Sequence, residues 1–402
     1  MKIAFLNSGP SSTKNFSTSN ACRSMAMMLG KLGDDVMLFA MGEKEAEIKE
    51  NFYTEKIVRR VSPPGTNLKV RIMDIVYLTL FKKRYSSIKN NQNRDLISDL
   101  KEFAPEIIIS FNRYFVDLLV NYKKVTKVKL FAVTDDISEV CNAEKIREDM
   151  PNENNKNAII RYLKIRVLRF LSYRLINFYE SKYDLMLREF NKIIFFTKED
   201  MKRTLNKHRE FKSKLLVIPP SIEITKTKIV KPKKVAKNVL FVGNYTDMKN
   251  VDAIRIIKEK IAPATSGLDF IVAGKGGKKE TYKNFKSLGP VKDIGRLIDS
   301  ADICIVPLRY GTGIKIKILD FLSHHKPVVG TSIAFEGFDV KNGKNAIICD
   351  DLDSYPRVLN ALAIDYKLRK KISDETGELL DFFSDKRVSK IWLKLLDAQK
   401  LV

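Results

Sequence analysis

What most limits the fold of this chain is the spacing of its apolar residues. Short apolar runs alternate with longer amphipathic stretches, stop, and then alternate again. Runs this short suit strands buried on both faces, and the longer stretches at helical period suit the crossovers that parallel strands require. In the first half the expected strands are Lys2–Leu6, Val36–Ala40, Ile107–Phe111, Lys129–Val133, Lys192–Phe196 and Leu215–Ile218. Helices such as Ala21–Leu32 and Leu96–Phe103 fall between them. The stretch Ile218–Asn238 holds three prolines and many lysines without periodicity, and reads as a linker. The pattern then restarts with Val239–Val242, Phe270–Ala273, Ile303–Val306, Val328–Val329 and Ile347–Ile348. The expected fold is α/β, with two Rossmann-like domains whose parallel sheets face a cleft. Residues 1–220 form the first domain, 221–238 the linker and 239–384 the second domain; a C-terminal helix at about 385–402 has the option of packing back on the first.

The length, 402 residues, suits two domains of ~150–200 residues each. A net charge of +25 attracts an anion: nucleic acid, acidic lipid or a phosphorylated substrate. No helix–turn–helix, RNP or zinc signature accompanies it, so no specific nucleic-acid partner is expected. Cys22, Cys141, Cys304 and Cys349 lie far apart with no CxxC pair, which fits a reducing compartment. No stretch approaches the ~20 apolar residues of a membrane span. A cytoplasmic protein is expected, with peripheral contact to the inner face of the membrane as a further option. The segment Asn157–Glu180 bears on that option, because Arg161, Lys164, Arg166, Arg169 and Arg174 punctuate an apolar helical stripe. Such a helix can lie on an anionic bilayer, although a crossover helix packed on the sheet is the commoner use of the pattern.

The stretch Pro307–Thr331 carries the chemistry. A strand runs into a turn containing Gly311 and Gly313, then a helix from about Lys315 to Ser323, then another strand. Glycines let the backbone approach a ligand closely. The amides of Gly313 and Ile314 at the helix start favour an anion such as a diphosphate. Lys315 and Lys317 sit in the first turn, where positive charge opposes the helix dipole, so a ligand phosphate is a sensible partner for at least one of them. Asp320 lies further along the helix, where a carboxylate can accept hydrogen bonds from ribose hydroxyls.

This stretch resembles the donor-site signature of GT-B glycosyltransferases, in particular the retaining family 4 and its relatives. Many members read approximately P-L-x-x-G-[ST]-G-x-x-x-K-x-[LV]-E, then P-V-V-x-T and E-G. The chain supplies Pro307, Leu308, Gly311, Thr312, Gly313, Lys317, Leu319, Pro327, Val328, Val329, Thr331, Ala334, Glu336 and Gly337. Upstream, Val239–Ile257, Phe270–Gly277 and Ser287–Leu308 resemble the family's first strand and loop, glycine turn and base-binding loop; Asn342–Leu362 resembles its closing segment. In the first half, Ile193–His208 and the loop Gly9–Ser12 fit more loosely, and residues 45–155 show no specific motif.

The resemblance implies a glycosyltransferase that uses a nucleotide-sugar donor and a glycan or lipid-linked acceptor in envelope or surface polysaccharide synthesis, with retention of configuration and no cofactor or metal. It places the diphosphate beside Gly313, Ile314, Lys249 and Lys317, the nucleotide along Gly243, Asn244, Gly274, Gly276, Gly311, Thr312 and Lys315, the ribose at Asp320, and the base near the backbone of Val291. Two positions depart from the family pattern. Asn244 stands where many members carry a phosphate-clamping arginine, and Asp320 where they carry glutamate. An inactive donor-binding scaffold is therefore the rival reading. If a protein base takes part, Asp135 or Asp136 is the candidate, the commoner use of such a pair being a helix cap. The same capping use is expected of Asp351 and Asp353, despite their D-x-D spacing, and His324 and His325 are expected to be structural.

Overall fold

The computed structural model describes residues 1–7, 18–42, 46–59, 92–111, 115–134, 180–221, 233–245 and 247–400. Asp135, Asp136, the loop Gly9–Ser12 and all of Asn157–Glu180 except its last residue lie outside the described residues.

The chain divides into two compact units. The first takes, of the described residues, those up to Phe195 and Met201–Val217; the second takes Phe196–Asp200 and everything from Ile218 onward. In the first unit the strands are β1 (Lys2–Asn7), β2 (Asp35–Gly42), β3 (Ala46–Lys49), β4 (Thr54–Arg59), β5 (Ile107–Ser110), β6 (Lys129–Thr134), β7 (Lys192–Phe195) and β8 (Leu215–Val217). Its helices include α1 (Thr18–Lys31), α2 (Gln92–Phe103), α3 (Val116–Lys124) and α4 (Lys198–Lys207). The sheet order is β3-β4-β2-β1-β5-β6-β7-β8, parallel throughout except for the β3–β4 pair. Every residue of β5 is buried, as expected for a strand covered on both faces. A continuous apolar core under the sheet includes Leu6, Leu100, Ile108, Leu119, Leu130 and Ile193.

The second unit holds β9 (Asn238–Val242), α5 (Met248–Ile256), β10 (Asp269–Ala273), β11 (Glu280–Tyr282), β12 (Phe285–Gly289), α6 (Ile294–Ser300), β13 (Ile303–Val306), α7 (Ile316–Ser323), β14 (Val328–Gly330) and β15 (Ile347–Ile348). Three helices follow: α8 (Tyr355–Ile364), α9 (Tyr366–Asp381) and α10 (Asp385–Lys400). The order is β11-β12-β10-β9-β13-β14-β15, with only the β11–β12 pair antiparallel. Aspartates start three of these helices. Asp247, Asp293 and Asp365 accept backbone N–H bonds at the first turns of α5, α6 and α9.

The terminal helix α10 falls within the second unit. Its Val388, Trp392 and Leu396, one turn apart, are fully buried. Ser221 hydrogen-bonds Asp385 at its start. The end of the expected linker is also tied down: buried Arg369 of α9 donates to the carbonyls of Lys233 and Lys234, and Asp302 accepts from the amides of Lys237 and Asn238. Among the described residues no helix is long and apolar enough to cross a membrane.

Candidate functional site

The second sheet is built outward from β9. The chain steps one way through β10 and β12, then crosses β9 to continue the other way through β13, β14 and β15. At such a reversal the loops at the carboxyl ends of the two central strands diverge and leave a crevice, which is where open α/β sheets bind ligands. Here those strands are β9 and β13. Their loops carry most of the residues singled out from the sequence.

After β13 comes the glycine turn. Gly311 has φ +126° and Gly313 φ +76°, a region L side chains rarely adopt. Helix α7 starts at Ile316 and has no capping side chain. Among the described residues the amides of Gly313 and Ile314 make no hydrogen bond, so the turn presents free donors at a helix N-terminus. Thr312 is buried within the turn.

Lys315 occupies the cap position, one residue before the helix, and not its first turn as expected from the sequence. Its ammonium turns back onto the carbonyl oxygens of Gly313 (2.8 Å) and Gly311 (3.4 Å), 3.6 Å from Glu336. A buried ammonium needs acceptors, and the carbonyls of this turn supply them. Lys315 therefore braces the turn from within.

Lys317 is placed differently. Its Nζ donates to Asn250 Oδ1 at 2.6 Å and lies 4.2 Å from the centre of the Phe241 ring. Burial, then the neighbouring Lys249 and Lys315, lower its pKa to about 7 against the opposing pull of Asp247. Lys249 pairs with Asp247 at 3.6 Å, and its Cδ passes 3.0 Å from where a Cβ on Gly311 would lie. Lys249, Lys317 and the glycine turn thus converge, although 67 positions separate Lys317 from Asn250, the residue that holds it.

Asn244 is exposed, and its carbonyl accepts from Asn250 Nδ2 (3.2 Å) and the Asp247 amide (3.2 Å). Its backbone shapes the loop. A Cβ on Gly243 would meet Asn250 and the Phe241 ring at 2.8 Å. One on Gly274 would run into the carbonyl oxygen of Gly243. Gly276 has φ +80°, and Gly277 lies under the Tyr245 ring, whose hydroxyl meets Ser287 Oγ at 2.6 Å. Val291 follows β12 on the same edge, half-buried, with a backbone that makes no hydrogen bond among the described residues.

Asp320 is half-buried on α7, one turn beyond Lys317. Its carboxylate makes no hydrogen bond or ion pair with a described residue, and burial pushes its pKa well above the usual carboxylate range. An unpaired carboxylate in such surroundings is set for hydroxyl or amide donors from a ligand. Asp351 caps a short turn, accepting from the Asp353 amide and the Ser354 hydroxyl, and His324 and His325 bond Asp299 and Thr376. These three are structural, as expected.

The sequence reading missed the residues that hold the site together. They are Phe241 and Asn250 under Lys317, Tyr245 over Gly277, and an ion pair between Arg309 and Asp252. All of them lie within stretches that carry the resemblance, Val239–Ile257 and Pro307–Thr331, yet nothing in their spacing singles them out there.

The strand order, the reversal at β9 and β13 and the glycine turns define a doubly wound α/β domain with its crevice at the carboxyl ends of β9 and β13. Residues 236–364 match the family model described as glycosyl transferases group 1, and the chain has the GT-B fold. A sucrose-phosphate synthase of Thermosynechococcus elongatus shares the fold with a TM-score of 0.71, at 12% identity, over 99% of each chain. HepE of Anabaena, solved in complex with UDP-glucose, aligns with a TM-score of 0.64, at 12% identity, over 99% of this chain and 100% of its own. A Klebsiella pneumoniae protein, described only as an uncharacterized 44.6 kDa protein in the cps region, is 23% identical over 81% of each chain.

Proposed function

We propose that this chain is a glycosyltransferase that takes its sugar from a nucleoside-diphosphate sugar bound on the second unit and passes it, with retention, to a glycan or lipid-linked acceptor of the cell envelope. The observation that carries the donor assignment is Lys317: an ammonium enclosed at the strand reversal, beside a second lysine and two free amides, and held by the neutral amide oxygen of Asn250. A diphosphate seated there relieves the repulsion between the lysines and supplies acceptors to all four donors. As the glycosidic bond breaks, negative charge grows on the leaving phosphate, and donors already fixed in place stabilise it more than they stabilise the ground state. Asp320 then takes the ribose hydroxyls, and the Val291 backbone meets the base edge. In a retaining transfer the leaving phosphate can itself accept the acceptor's proton, and Asp136 is the candidate if a protein base assists. HepE's UDP-glucose complex makes uracil the first base to test, and the Klebsiella relative of the cps region supports an envelope acceptor.

Lys317→Ala is expected to lower turnover at least tenfold while the fold is kept, a loss of roughly 1.5–3 kcal/mol for one charge-assisted contact. The pH dependence has a definite sign. Lys317 carries its charge below about 7 in the unliganded protein. Affinity for UDP, GDP or ADP should therefore weaken as pH rises through about 7, and the variant should lose that slope. Titration calorimetry from pH 6.5 to 9 on both proteins measures it; a flat wild-type profile with normal affinity counts against Lys317 as the phosphate contact.

A further inference from the structure

The donor reading above leaves one strong interaction at the site without a role. Arg309 lies on the turn after β13, two residues before Gly311. Its guanidinium forks onto both carboxylate oxygens of Asp252, with Nε to Oδ2 at 2.8 Å and Nη2 to Oδ1 at 2.6 Å. Asp252 is 7% exposed and also receives Arg255 at 3.2 Å. It sits on α5, one turn from Lys249 and two residues from Asn250. The pair therefore joins the two walls of the site. One wall is α5, with Lys249 and Asn250; the other is the glycine turn leading to Lys317.

The clearance between those walls is small. The Lys249 stem passes so close to Gly311 that a single methyl there would touch it. Lys317, from the glycine-turn side, reaches across to Asn250 at 2.6 Å. A shift of the turn by a fraction of an ångström would change how both lysines and the Gly313 and Ile314 amides meet one phosphate group. Two parallel hydrogen bonds from a planar guanidinium fix distance and angle together, which an ammonium in its place would not.

We propose that Arg309 and Asp252 are a positioning pair that sets the separation of the two phosphate-binding walls, so that Lys249, Lys317 and the turn amides act on one diphosphate at once. Neither residue touches the donor in this arrangement. The inference rests on the donor reading and adds to it a requirement for bidentate geometry between residues 57 positions apart.

The test uses the full chain and the nucleoside diphosphate that the wild type binds best among UDP, GDP and ADP. Arg309→Lys keeps the charge and loses the fork; it should weaken nucleotide binding five- to tenfold and raise donor KM in step, with acceptor KM unchanged. Arg309→Asp should be worse, and Arg309→Asp combined with Asp252→Arg should recover part of the affinity, since the swapped pair can fork again. A merely structural ion pair predicts something else: lower melting temperature in each variant, with nucleotide affinity per folded molecule unchanged. That result, or wild-type affinity in Arg309→Lys, overturns the proposal. Lys317→Ala runs alongside. If it weakens binding while Arg309→Lys does not, the positioning role alone fails. A wild type that binds none of the three nucleotides removes the donor reading and this inference together.

Discussion

Lys317 and Asp320 sit one turn apart on α7, and the unliganded protein suits the charged form of neither. Burial lowers the pKa of the lysine and raises that of the carboxyl. Both shifts are costs to the unliganded fold. For Asp320 the sign is clear. Its folded pKa lies above its unfolded one, so the stability it contributes is complete below the unfolded value and is lost as pH rises through the folded value. At neutral pH, Asp320→Asn removes that cost and should raise the melting temperature of the unliganded protein, by roughly 2–4 °C for each kcal/mol recovered in a unit this size. The same change should weaken nucleotide binding about tenfold, because charge-assisted bonds to the ribose are worth ~1.5–3 kcal/mol. Asp320→Glu should keep the affinity. Calorimetric titration and thermal melts of the two variants settle the matter, and a normal dissociation constant for Asp320→Asn would remove the ribose assignment. Opposite effects on stability and binding are what a residue held ready for a ligand should show.

At the scale of elements, the site rests on glycine-bearing loops that bring backbone against backbone. Gly274 packs so tightly on the Gly243 carbonyl that no Cβ fits between them, and the Gly243 amide bonds the Ala273 carbonyl at 2.9 Å. Gly274→Ala must push the β9 and β10 loops apart. Nucleotide affinity should fall at least tenfold, with a melting temperature several degrees lower, roughly 1–3 kcal/mol of overpacking. Affinity equal to wild type in a folded variant would show that these loops lie away from the nucleotide. The same elements show what a sequence can reveal. β1, β5 and β13 are legible because both faces are covered, which demands continuous apolar runs. β3, β4, β11 and β12 are not. β12 buries only Phe285, Ser287 and Gly289 in alternation, β11 is wholly exposed, and β4 buries Glu55. The glycine turn announces itself because positive φ selects one residue type. The Arg309–Asp252 pair and the Lys317–Asn250 contact leave no local signal, since their partners meet only once the sheet has brought β9 and β13 side by side.

In the whole molecule the chain passes between the two units more than once. Phe196–Asp200 continues directly from β7 of the first unit yet belongs to the second, as does α10. The chain thus leaves the first unit, returns to it for Met201–Val217, and leaves again. The proline- and lysine-rich stretch Ile218–Asn238 begins at the last of these passages. A net charge of +25 spread over such a chain does not by itself identify an anionic partner, whereas the few lysines at the strand reversal have defined geometry. One buried side chain gives the second unit an optical signature of its own. Trp392 is the chain's one tryptophan, and it is fully enclosed on α10 of the second unit. Indole emission therefore reports the melting of that unit, while amide exchange on β5 and β6 reports the other. A nucleoside diphosphate that binds the second unit should move the fluorescence transition upward by mass action and leave exchange on β5 and β6 where it was. Equal displacement of both signals would mean that the two units unfold as one cooperative block, and that light absorbed at a single ring reads the stability of the entire chain.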